Sequence, residues 1–246
     1  MTDHDMKMVG PCGPRRNVVR PAIRLLSRAG QIAVIGLIGA MPAHAFEPSL
    51  SDSEVASTLD QAKTMVADHA HGLIVKDYVL FDRPNPLHIT DESRLVDAVV
   101  VDTPRQRLLS NAYLTYFQDK TLSTGDARKM ADNLAGKIAF RVFAHAPSLA
   151  PDQRHFLQDF GQATLTLTNG QALQARPADL SNPAEDFFIL ANGNHVFRWL
   201  GAFSYVFDLG PVAQNAQSLA ALKGTLTFTD SGGRTYTHDV DLGQYR

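Results

Sequence analysis

Just past residue 50, apolar side chains recur at helical spacing. Val55, Leu59, Ala62, Val66 and Ala70 fall three or four positions apart, the stripe of an amphipathic helix. Ser51-Asp52-Ser53-Glu54 stands before them as a capping box. Gly72 follows as a stop, because glycine accepts the left-handed conformation beyond a last turn. The spacing predicts a helix over 52–71. Leu73 to Phe81 is rich in β-branched and aromatic residues and predicts a strand, broken by Arg83-Pro84-Asn85-Pro86. Leu95 to Val101 predicts a second, with Val99-Val100-Val101 continuous enough to be buried on both faces. Thr103-Pro104 opens the next helix as cap and first helical residue. Leu108, Leu109, Ala112, Tyr113, Tyr116 and Phe117 mark its inner face, and a further helix is expected over 124–135 before Gly136.

Beyond residue 136 the period changes from helical to alternating. Ile138, Phe140 and Val142 alternate toward Pro147, and Pro151 to Phe160 reads as a short helix. Ala163, Leu165 and Leu167 alternate against threonines up to an Asn169-Gly170 turn. After the Asn192-Gly193-Asn194 turn, Phe197, Trp199, Phe203, Tyr205, Phe207 and Leu209 share one parity. Gly201 takes the remaining position of that row, where a bulge or a close crossing is expected. Leu226 and Phe228, Ser231-Gly232-Gly233, then Tyr236, Val240 and Leu242 make a closing hairpin.

These elements predict an α+β fold, with a helix-rich N-terminal half and an antiparallel β-sandwich in the C-terminal half. The sandwich is immunoglobulin-like by analogy of architecture alone, since no Cys…Trp…Cys framework is present. Residues 46–246 are expected to form a single domain, with a soft sub-boundary near 136.

The first 45 residues stand apart. Lys7, Arg15, Arg16, Arg20, Arg24 and Arg28 form a basic leader. An uncharged run from Gln31 to Met41 follows, then Pro42-Ala43-His44-Ala45, an A-x-A cleavage signature. The run is about 10 residues long, against the roughly 20 that a spanning helix needs. It therefore reads as a signal peptide, cut before Phe46, and not as a membrane anchor. Arg15-Arg16 leaves a twin-arginine route open beside the general secretory one.

Removing that segment changes the composition. The leader holds 6 of the 23 basic and 2 of the 25 acidic residues, leaving 17 basic and 23 acidic residues and a formal charge of −6. An acidic chain lacks the basic surface that nucleic-acid binding exploits. The single cysteine, Cys12, leaves with the leader, so the remainder has no disulfide, no thiolate nucleophile and no cysteine metal ligand.

Three groups of side chains are candidates for chemistry. His69, His71 and His88 carry imidazoles suited to zinc or copper. The first two, however, are two apart on the predicted helix and point different ways unless the helix frays. The aromatic row from Phe197 to Phe207, with Phe187 and Phe188 nearby, suits stacking on sugar rings or apolar ligands; at strand spacing it equally suits the inner face of a sheet. Seven histidines remain after the leader, and His238 lies on the inward parity of Tyr236 and Val240. No G-x-S-x-G, H-E-x-x-H, P-loop or G-x-G-x-x-G occurs. Asp82-Arg83 and Asp91-Glu92 read as solvated loop charges. The expectation is an exported, non-enzymatic binding or interaction protein, periplasmic or secreted, whose partner is a protein or a small ligand, with no cofactor. An exported hydrolase with a non-sequential active site and a histidine-based metal binder are the alternatives.

Overall fold

The computed structural model describes residues 46–68, 76–85, 87–210 and 221–245. The fold is α+β. Helix α1 (Asp52–Ala67) starts where the capping box places it: Glu54 N–H donates to Ser51 Oγ at 3.3 Å, and Ser51 N–H donates to Glu54 Oε2 at 2.7 Å. Helix α2 (Pro104–Phe117) is capped by Thr103 with Pro104 in its first turn, and α3 (Thr124–Asp132) is capped by Ser123. The three pack together around Val55, Leu59, Leu108, Ala112, Tyr113 and Ala131. Helix α3 is shorter than its 124–135 pattern suggests. Residues 133–136 close in turns instead, and Gly136 takes a positive φ of 70°.

Eleven strands among the described residues form two sheets. They are β1 (Val79–Asp82), β2 (His88–Ile89), β3 (Val96–Asp102), β4 (Lys137–His145), β5 (Ala163–Leu167), β6 (Ala172–Ala175), β7 (Pro177–Ala178), β8 (Ala184–Leu190), β9 (His195–Asp208), β10 (Lys223–Thr229) and β11 (Thr235–Asp241). The larger sheet runs β1-β3-β4-β9-β8-β2, with β7 also pairing with β9; the smaller runs β11-β10-β5-β6. The helix-rich first half of the expectation is thus incomplete. It also supplies β1, β2 and β3 to a sheet completed by strands from the second half, because Val96, Val99 and Val101 bury their side chains in the same core as Phe140 and Val142.

That core lies between the two sheets. Phe203, Tyr205 and Phe207 of β9 meet Leu226 and Phe228 of β10, with the Tyr205 and Phe228 rings 5.4 Å apart. The buried Tyr205 hydroxyl donates to the Gly161 carbonyl at 2.7 Å, which satisfies a polar group that burial otherwise penalises. Helix α2 is tied to the larger sheet through Arg107, whose Nε donates to Asp102 Oδ2 at 3.0 Å and whose Nη2 donates to Ser204 Oγ at 3.2 Å.

β9 is the spine of the larger sheet. Its 14 residues pair with β4 on one side and with β7, then β8, on the other. Between β7 and β8 the pairing lapses into a strap, and Asp179 there takes a positive φ of 52°. A 3-10 helix, Pro151–Asp159, lies across β9 beside that strap. No helix among the described residues is long and apolar enough to cross a membrane.

Candidate functional site

Of the three candidate metal ligands, His69 and His71 lie outside the described residues. His88 is exposed on β2, and its carbonyl accepts a hydrogen bond from Arg83 Nη1 at 3.1 Å. Among the described residues no three His, Cys, Asp or Glu side chains gather as metal ligands.

The histidine that the fold does enclose is His145, at the end of β4 and 0% exposed. Its Nδ1 donates to Asp97 Oδ1 at 2.7 Å, and Arg83 Nη2 reaches the same oxygen at 2.7 Å. Phe188 packs on the imidazole, ring centroids 5.2 Å apart, with the Arg83 guanidinium 5.7 Å from its own centroid. Arg198 of β9 is also buried, and its Nη2 donates to Glu92 Oε2 at 2.8 Å. Arg83 therefore departs from the expected solvated loop charges, because it is buried against Asp97, whereas Glu92 stays exposed while its carboxylate holds the buried Arg198 guanidinium. Desolvation lowers the Arg83 pKa, partly offset by Asp97. A carboxylate that fixes an imidazole is one half of a hydrolytic triad. Here, however, an arginine shares the carboxylate and an aromatic ring covers the imidazole.

The aromatic row divides at Gly201. Phe203, Tyr205 and Phe207 are core. Trp199 is half-buried, with Nε1–H donating to the Ala150 carbonyl at 3.1 Å and the Arg154 guanidinium 5.4 Å from its ring centroid. Phe197, next on the same face, is 57% exposed. Its cross-strand partner Phe187 sits 5.8 Å away, edge to face, and His195 packs on Phe187 at 5.0 Å. Phe188 points to the opposite face, against His145. The far end of the β8–β9 hairpin is thus an aromatic ledge beyond the core.

Beside the ledge, the 3-10 helix and the 177–183 strap enclose a groove made of two depressions. One, of about 390 Å³, is lined by Arg154, His155, Ser181, Asn182 and Pro183 among others. The second, of about 500 Å³, is lined by Gln162, Arg176 and Pro177, and both share Gln158 and Leu180. No carboxylate lines either depression. Among the described residues neither Arg154 nor Arg176 has an ion-pair partner. Two other grooves differ. On the outer face of the smaller sheet, Lys223 is already paired with Asp241 at 2.8 Å. Between the helices and the larger sheet, Arg107 is held by Asp102 and faces Asp179.

No protein-family model, curated protein or solved structure matches this chain.

The site therefore rests on its own geometry. It offers two guanidinium forks without an ion-pair partner among the described residues, a cluster of amide and hydroxyl groups, and the exposed Phe197 ring in line with them. Its arginines carried no signal in the sequence, because Arg154 and Arg176 are brought to one groove only by the crossing of the 3-10 helix over β9.

Proposed function

We propose that the chain is an exported, non-enzymatic binding or interaction protein of the periplasm or exterior, with its ligand seated in the groove beside the 3-10 helix. Export rests on the basic leader, the short apolar run and the Ala43–Ala45 cleavage signature. Its two-sheet core is analogous to immunoglobulin-like modules, which present loops and strand ends to partners from a rigid scaffold. The observation that carries the binding reading is the exposure of Phe197 next to a carboxylate-free groove holding two arginines without an ion-pair partner among the described residues. An exposed aromatic beside convergent polar groups is what a binding site requires. Two measurements test it. Fractionation with mass spectrometry must find a chain beginning at Phe46 outside the cytoplasm. A ligand screen by thermal shift must give hits that Phe197→Ala weakens.

One observation favours a hydrolase as the second reading: the 2.7 Å contact between His145 and Asp97. Hydrolysis of generic ester substrates by the purified protein, abolished in a folded His145→Gln variant, would establish it.

A further inference from the structure

We infer that the groove and the aromatic ledge together form a track for an acidic oligosaccharide, a chain of uronate-type sugar rings. This rests on the binding reading above and names its ligand class.

The parts lie in sequence along β9. Phe197 and Trp199 share one face of the strand, roughly 7 Å apart as alternate residues are. Arg154 covers Trp199 and also lines the first depression. Gln158 and Leu180 lead into the second, where Arg176 and Gln162 stand. The track thus runs from the exposed Phe197 ring, past Trp199 under Arg154, to the side-chain amides and Arg176. Sugar rings stack their C–H faces on aromatic rings. Their hydroxyls both donate and accept, which matches Gln158, Gln162, Ser181 and Asn182. Guanidinium forks hold carboxylates in bidentate fashion.

Charge sharpens the choice. Beyond the leader the chain carries a formal charge of −6, yet both depressions are lined by arginines and no carboxylate, and the carboxylate nearest the ledge is Glu185, across the strand from Trp199. An anionic ligand meets a local cationic seat on a surface that elsewhere repels it. An acidic peptide is the rival anion. Peptides gain affinity by adding a strand to an open sheet edge. β9 pairs with β4 on one side and with β7 and β8 on the other, and in the gap between those two Ser181 takes up both the N–H and the carbonyl of Ala202, so the strand that floors the track offers no such edge.

The test is calorimetry on the exported protein with three probes: tetragalacturonate, a neutral galactose tetrasaccharide and hexaglutamate. The expected result is binding of tetragalacturonate alone. Its affinity should fall about tenfold or more in Arg154→Gln and in Arg176→Gln, the loss of one charged hydrogen bond. It should fall severalfold in Phe197→Ala and weaken as salt rises. Circular dichroism confirms that each variant is folded, and Arg176→Gln removes a residue outside the Trp199 contact. Equal binding of hexaglutamate overturns the sugar assignment. Tetragalacturonate binding that survives both arginine substitutions overturns the track. Failure of tetragalacturonate with Phe197-dependent binding of the neutral sugar overturns the acidic class and leaves the binding reading standing.

Discussion

Gly201 of β9 lies directly beneath Leu157 of the 3-10 helix: a Cβ on Gly201 would come within 2.7 Å of Leu157 Cδ1 and 3.2 Å of Ser181 Oγ. The absent side chain is what lets both walls of the groove close on the sheet. Replacing Gly201 with Ala is expected to destabilise the protein by about 1–3 kcal/mol, as overpacking does. Urea denaturation measures the loss. The Leu157 side chain must shift, and where the helix moves with it Arg154 shifts on Trp199, which a change in tryptophan fluorescence reports.

The buried Arg83–Asp97–His145 cluster ties the end of β1 to β3 and β4. Asp97→Ala takes the carboxylate away from the buried Arg83 guanidinium, and breaking such a pair costs about 3–5 kcal/mol. His145→Phe removes a polar ring from an apolar contact with Phe188 and should cost less. Chemical denaturation of the two variants checks the order; equal losses would show that the imidazole carries as much as the arginine pair.

His238 titrates against the fold. Its ring stacks on Phe81 at 5.3 Å, and burial with the nearby Arg94 lowers its pKa from 6.5, while Asp239 acts in the opposite sense. The unfolded chain therefore takes up this proton at higher pH than the folded one does. Stability from this group is complete above pH 6.5 and is lost as pH falls through the folded pKa. Denaturation midpoints followed from pH 7.5 down to pH 5 should decline, and His238→Gln should flatten the decline in that window.

A metal role for His69, His71 and His88 makes a separate demand. Zinc or copper must bind the exported protein at micromolar affinity or tighter, and His88→Ala must weaken it at least tenfold, since each imidazole is a direct ligand. Calorimetric titration with each metal decides it, and binding that ignores His88 removes that residue from the set.

What could be read from the chain was what neighbouring residues settle among themselves. Ser51 and Glu54 cap α1 across three positions, Thr103 and Pro104 start α2, and the parity of Phe203, Tyr205 and Phe207 marks the inner face of β9 without reference to anything distant. The same parity includes Phe197, and there the pattern stops being informative. Phe203 is covered and Phe197 is not, because another layer packs over only part of β9. Arg83 sits in a string that resembles any polar turn; it is buried because Asp97 and His145, far along the chain, lie across from it. Arg154 and Arg176 are likewise surface residues by type, and only the strap and the 3-10 helix make them neighbours of one groove. Local hydrogen bonds and side-chain alternation act over a few residues and leave their trace in the sequence. Burial and the meeting of charges depend on which elements cross, and that only the folded chain decides.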